Sequence, residues 1–100
     1  MIANLLDLVT YYEGQIASRK LDKTLGLKNA LTLYAMAEGE TISAETSLSQ
    51  KLIHVLQGNL DLEVDGQVLN LTEQGMLTIP ADASYSLKAV TNTKYYILDL

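Results

Sequence analysis

The chain has 100 residues, of which 48% are hydrophobic; it has a formal net charge of −5 and no cysteine. This length predicts one small domain with its own hydrophobic core. The composition excludes an intrinsically disordered chain, a disulfide framework and a thiolate metal site. The seven basic residues are dispersed along the sequence, so a nucleic-acid-binding groove, which needs clustered positive charge, is disfavoured.

Membrane partners are also disfavoured. No apolar run approaches the roughly 18 residues of a transmembrane helix, and the N-terminal stretch MIANLLDLVTYYEG carries acidic residues where a secretory signal would carry basic ones. We therefore expect a soluble, cytoplasmic protein that contacts neither nucleic acid nor membrane.

The predicted elements begin with one short helix over Ala3 to Tyr12, where Asn4 is the candidate N-cap and Gly14 the stop. Strands are predicted over residues 15–20, 30–37 and 41–45, with a loop at residues 21–29. Three strands follow between Lys51 and Leu71, and further strands are predicted over residues 76–79, 84–90 and 94–100.

The stretch from Lys51 to Leu71 predicts the architecture most strongly. Residues 60–64 alternate apolar and polar side chains, so the apolar ones share one face of a strand and the acidic ones the other. Asp65 and Gly66 are typical of a two-residue type I′ turn, which predicts a hairpin with residues 67–71.

Many short strands with one N-terminal helix predict an all-β, closed or two-sheet antiparallel architecture. We assign residues 1–14 to the helix and lead-in and residues 15–100 to a single β-barrel domain. Several strands, such as LTLYAM and KLIHVL, are apolar on both faces. Because 100 residues offer too little interior to bury all of these faces, we predict that one sheet packs against a second subunit in a homodimer.

The sequence resembles the cupin superfamily in two places. Gly39 and Gly58 have the separation of the glycines that bracket the first cupin signature, in which two histidines and a glutamate lie between them. In the second signature Pro80 matches, Tyr85 stands at the position of the third histidine, and Ala89 at that of an asparagine. The resemblance implies a cupin-type double-stranded β-helix, also called a jelly-roll barrel.

The metal ligands of that family do not match. Glu45 and Ser47 stand at the two histidine positions and Lys51 at the glutamate position. A protonated lysine offers no lone pair to a metal. His54, the only histidine, lies on the opposite strand face from residues 51, 53 and 55 by parity, and we interpret it as a partly buried or interface imidazole. We therefore predict no bound metal and no cofactor.

The resemblance places Glu45, Lys51 and Tyr85 toward the barrel cavity, so they are the candidate catalytic residues. We hypothesise that Lys51 and Glu45 form an ion pair in place of the metal, with the hydroxyls of Tyr85 and Ser47 around it, or else that both charges are solvated at the cavity mouth. The candidate ligand pocket consists of Tyr34, Met36, Glu45, Ser47, Lys51, Met76, Tyr85 and Tyr96.

Three functions remain open from sequence. The first is a metal-free cupin barrel that binds a small organic molecule or acts as a regulatory module. The second is a metal-independent isomerase, epimerase or lyase that acts on a small polar metabolite with Lys51, Glu45 or Tyr85 as acid and base; a metal-dependent cupin enzyme with atypical ligands is a further alternative. The third is a structural dimer, in which Tyr34, Met36 and Met76 would fill the cavity.

Overall fold

Two antiparallel sheets face each other in the computed structural model, which describes residues 4–100. The strands in chain order are β1 (Ile16–Lys20), β2 (Leu31–Met36), β3 (Thr41–Thr46), β4 (Lys51–Gln57), β5 (Leu60–Val64), β6 (Gln67–Leu71), β7 (Met76–Ile79), β8 (Ser84–Ala89) and β9 (Thr93–Asp99). The five-stranded sheet has the order β1-β2-β9-β4-β7 and the four-stranded sheet the order β3-β8-β5-β6.

The N-terminal helix is shorter than predicted. Its expected start at Ala3 lies outside the described residues, and the helical part that follows is a single 3₁₀ turn, Leu5–Asp7, whose N-cap is Asn4 as predicted. The β-branched and aromatic residues that follow, from Val9 to Tyr12, have low helix propensity. Val9 instead packs, buried, against the five-stranded sheet.

One helical turn, α1 (Asp22–Leu25), replaces part of the predicted loop at residues 21–29. Gly26 ends this turn with a φ of 71°, in the left-handed region that glycine adopts without strain. The preceding Leu21 is 1% exposed and anchors the turn on the sheet. Across residues 4–100 the structure contains no helix that is long and apolar enough to span a bilayer.

The hairpin between β5 and β6 forms as the sequence predicts. Asp65 has a φ of 48° and Gly66 a φ of 84°, the two positive values that a type I′ turn requires. Leu60 and Leu62 point into the interior and are fully buried, whereas Glu63 is exposed. The all-β fold and its alternating strand pattern are therefore confirmed.

Two apolar clusters lie on opposite faces of the five-stranded sheet. The interior cluster fills the space between the sheets and includes Met36, Ile53, Leu60 and Tyr95. The outer cluster packs the N-terminal segment and α1 onto the other face, around Leu21 and Leu33. Residues 51, 53 and 55 of β4 and the odd-numbered residues of β9 therefore point inward, up to the register shift that follows Val55.

Candidate functional site

Polar side chains gather at one end of the space between the sheets. Lys51 begins β4 and Asp99 ends β9, and the two residues are directly opposite each other. On the facing sheet, Glu45 near the end of β3 lies opposite Tyr85 near the start of β8. We call this group, together with Tyr34 of β2, the polar end of the barrel.

Lys51 forms an ion pair with Asp99 at the polar end, through Nζ and Oδ1. The two side chains are 18% and 36% exposed, so the pair is partly buried but reachable from solvent. This corrects the predicted pairing of Lys51 with Glu45. Asp99 was missed in the sequence analysis because it lies 48 residues from Lys51, and local patterns do not give the pairing of strands so far apart. The available signal was that Asp99 alternates in phase with Tyr95 and Ile97 and therefore points inward.

Glu45 instead accepts a hydrogen bond from the Tyr85 hydroxyl, with 3.3 Å between the hydroxyl and Oε2. Glu45 is exposed, whereas Tyr85 is 6% exposed. Burial, followed by the charge of Glu45, raises the pKa of Tyr85 to about 12. The phenol therefore stays protonated at neutral pH and remains a hydrogen-bond donor to the carboxylate.

Two tyrosines stack behind this pair. The rings of Tyr34 and Tyr95 have centroids 4.9 Å apart and are inclined by 12°. Burial, followed by neighbouring charged and phenolic groups, raises the pKa of both hydroxyls. The Tyr95 hydroxyl donates to Sδ of Met36 at 3.1 Å, and both residues are fully buried. Aromatic and thioether side chains therefore fill the interior beneath the polar end.

Ser47, a predicted pocket residue, does not join this group. Its side chain is fully buried and donates to the carbonyl of Ser49. Its backbone N–H and carbonyl bond with Ala83 and Asp82. Since its hydroxyl is already satisfied by the chain, Ser47 holds the β3–β4 connection against the β7–β8 connection.

Met76 and Tyr96, also predicted to line the pocket, lie on the outer face of the five-stranded sheet, because both are directly opposite His54 in neighbouring strands. His54 Nδ1 lies 3.1 Å from the Tyr96 hydroxyl and Nε2 lies 3.0 Å from Oε1 of Gln74. The inward tyrosine of β9 is Tyr95, one residue earlier.

The donor set at the polar end does not fit the divalent metal that the cupin fold implies. Lys51 presents an ammonium already paired with Asp99, and Ser47 directs its hydroxyl to a backbone carbonyl. His54 lies on the other side of the sheet. No group of three potential metal-ligating side chains occurs among residues 4–100. First-row divalent ions favour imidazole together with carboxylate ligands, and this arrangement provides carboxylates and phenols beside an ammonium.

Known proteins resemble the chain in sequence and in fold. A family model described as "Ppnp: Pyrimidine/purine nucleoside phosphorylase" matches residues 7–97. A pyrimidine/purine nucleoside phosphorylase of Pseudomonas paraeruginosa is 29% identical over 87 residues, which are 85% of this chain and 88% of the relative.

Solved structures share the fold. A cupin 2 conserved barrel domain protein from Leptotrichia buccalis matches with a TM-score of 0.88 and 24% identity, over 98% of this chain and 47% of that one. A cupin superfamily protein from Desulfitobacterium hafniense matches with a TM-score of 0.83 and 23% identity, over 94% of this chain and 84% of that one. The predicted cupin fold is confirmed.

Proposed function

Because the chain belongs to the pyrimidine/purine nucleoside phosphorylase family, we propose that it cleaves nucleosides with inorganic phosphate at the polar end of its barrel. In this reaction the bond between C1′ of the sugar and the base nitrogen breaks, and its electron pair goes to the base. A phosphate oxygen bonds to C1′, and the proton of hydrogen phosphate ends on the base. The products are a free base and a sugar 1-phosphate.

The observation that carries this proposal is the family match, which extends from Asp7 to Ile97 and so includes most of the polar end. The chemistry of the polar end is compatible with it. Glycosidic bond cleavage passes through a cation-like sugar, which carboxylates stabilise. The reaction is not an oxidation or reduction and needs no redox metal. This agrees with the side chains of the polar end, which do not fit a divalent metal ion.

Four of the five polar-end residues have a role in this proposal. The exposed carboxylate of Glu45 stabilises the positive charge that develops on the sugar. The Tyr85 hydroxyl, which stays protonated, holds Glu45 by the hydrogen bond at 3.3 Å. The ammonium group of Lys51 attracts the phosphate anion. Tyr34 offers a half-buried aromatic edge for the base.

The experiment is product analysis by chromatography. Purified protein is incubated with inosine or uridine, with and without inorganic phosphate. We expect a free base and a sugar 1-phosphate only when phosphate is present. Glu45→Gln should lower kcat by at least about a hundred-fold, the scale of one electrostatic group lost from a transition state.

Glu63→Gln is the matched control, because Glu63 is an exposed strand glutamate on the opposite face of the same sheet. It should keep wild-type activity. A purified protein that binds neither nucleoside and releases no base under any phosphate concentration would contradict the proposal. So would a Glu45→Gln variant as active as the wild type.

A second candidate is a small-molecule-binding module without turnover. The engagement of Lys51 by Asp99 favours it, because this ammonium is already paired rather than free for a reacting group. The filling of the interior by Met36, Ile53 and Tyr95 favours instead the structural dimer. Binding of a nucleoside in calorimetry, without any product after prolonged incubation with phosphate, would favour this candidate over the enzyme.

The predicted homodimer also remains a proposal. The outer face of the five-stranded sheet carries an apolar groove lined by side chains that include Leu27, Tyr96, Leu98 and Leu100. Leu27 and Leu100 are 43% and 52% exposed, and a second copy packing here would bury them. Light scattering should give twice the 11.0 kDa chain mass, and a monomer mass would contradict the dimer.

A further inference from the structure

The Lys51–Asp99 ion pair occupies the position from which the proposed reaction must bind phosphate. It lies at the end of β4 and β9, beside Glu45 and Tyr85 of the facing sheet, and both of its side chains contact solvent. Lys20 shares the inner face of the sheet but lies on the edge strand, opposite Thr32. Lys51 is therefore the cation placed centrally at this end of the barrel.

We propose that phosphate binds Lys51 by displacing the carboxylate of Asp99, so that Asp99 sets the phosphate affinity of the site. This inference rests on the proposed function, because it names the binding position of that reaction's second substrate. An ammonium makes charge-assisted hydrogen bonds with a carboxylate or with a phosphate oxygen. The two anions therefore compete for the same Nζ.

The carboxylates around Lys51 oppose the binding of phosphate. Glu45 and Asp99 both lie close enough to raise the pKa of Tyr34 and Tyr85, after the larger effect of burial. Two carboxylates and one ammonium leave the polar end with a net negative charge, which repels a phosphate anion. The native site should therefore bind phosphate weakly, and removal of the Asp99 charge should strengthen the binding.

The test measures inorganic phosphate binding directly, by calorimetry in phosphate-free buffer and without nucleoside. Asp99→Asn should bind phosphate about five-fold more tightly than the wild type, the scale of a lost ion pair of this exposure. Asp99→Glu, which keeps the charge, should restore the native affinity. Lys51→Met should lose phosphate binding, whereas Lys51→Arg should keep it, because a guanidinium also binds phosphate.

Two control variants separate this effect from general surface charge. Glu63→Gln removes one negative charge and Lys88→Met one positive charge, both at exposed positions. Neither variant should change the phosphate affinity by more than about two-fold at about 0.1 M salt, because salt screens the interaction between distant exposed charges. Circular dichroism of each variant establishes that it is folded.

The outcomes separate this inference from the proposed function. Unchanged phosphate affinity in Asp99→Asn overturns the competition between Asp99 and phosphate, even if the wild type cleaves nucleosides. Persistent phosphate binding in a folded Lys51→Met variant overturns the assignment of Lys51. Phosphate binding that follows Asp99 and Lys51 as expected, together with no nucleoside cleavage, supports the inference and contradicts the proposed function.

Discussion

The two ends of the barrel interior are built from different chemistry on the same strands. At the polar end, the charged side chains of Lys51, Asp99 and Glu45 reach solvent and lie beside the buried, uncharged Tyr85. At the other end, which we call the apolar end, interior positions are occupied by the fully buried residues Met36, Leu60, Ala89 and Thr93.

Hydrogen bonds to the backbone join connections at both ends. At the apolar end the N–H of Gly39 bonds the carbonyl of Ala89 at 2.8 Å and Thr93 Oγ1 bonds the carbonyl of Asn59 at 2.9 Å. At the polar end the N–H of Ser47 bonds the carbonyl of Ala83 at 2.9 Å, and an ion pair and the Glu45–Tyr85 hydrogen bond are present in addition. The apolar end therefore contributes buried packing, whereas the ion pair of the polar end is partly exposed and is the pair that we propose exchanges its carboxylate for phosphate.

The largest expected effect is at the apolar end. Leu60→Ala should reduce the free energy of unfolding by about 3 kcal/mol, because it removes buried methyl groups and leaves a cavity among well-packed neighbours. Val68→Ala is the control, since Val68 is 70% exposed on β6. Urea denaturation gives both values. An equally small decrease in the free energy of unfolding in both variants would show that the apolar end is not packed as described.

The turn at Gly58 tests how closely loops pack at that end. A Cβ at Gly58 would lie 2.3 Å from the carbonyl oxygen of Asn92, and its φ of 99° strains any other residue. Gly39 has a φ of 84° with open space around it. Gly58→Ala should therefore cost about 2 kcal/mol more than Gly39→Ala in urea denaturation. Equal losses would mean that backbone strain alone accounts for Gly58.

Removal of the ion pair should cost less. Lys51→Met should lower the free energy of unfolding by about 1 kcal/mol, because the pair is partly exposed and water can solvate the remaining Asp99 carboxylate. Lys88→Met, at an exposed position on β8, should have little effect. A loss of several kcal/mol in Lys51→Met would instead indicate a pair buried from solvent, and would reduce the contrast between the ends.

The smallest expected effect is a pH dependence. The pKa of Tyr85 is raised to about 12 in the folded protein, while an unfolded tyrosine titrates near 10. Between these values the unfolded chain has fewer bound protons than the folded one, so stability falls as pH rises above about 10. Tyr85→Phe should show a shallower decline in urea midpoints between pH 9 and 11. Identical slopes in variant and wild type would contradict this.

The fold was predictable because its signals are local. Period-two alternation at residues 60–64 and the Asp65-Gly66 turn each report a backbone requirement in a short stretch. The separation of Gly39 from Gly58 adds the resemblance to the cupin superfamily. The helix was overestimated because helical spacing in Leu5 to Tyr12 competes with β-branched and aromatic residues, whose burial on the sheet decides the outcome.

The site was predictable only in part. The cupin resemblance places Lys51 toward the interior and strand parity places His54 on the other face, and the structure agrees with both. Parity gave no distinction between Tyr95 and Tyr96, since both faces of β9 are apolar and the sequence lacks alternation there. Asp99 depended on a register between strands distant in sequence, which tertiary packing fixes. Long-range pairing, rather than residue identity, was the missing information.

The most direct test of metal-free phosphorolysis at the polar end is nucleoside cleavage by protein dialysed against a strong chelator, with metal content measured by elemental analysis. We predict that kcat with inosine and phosphate is unchanged when bound metal falls far below one ion per chain. Activity that disappears with the metal and returns on adding a single divalent ion would contradict the account, and would make Glu45 and Asp99 the first residues to test as ligands.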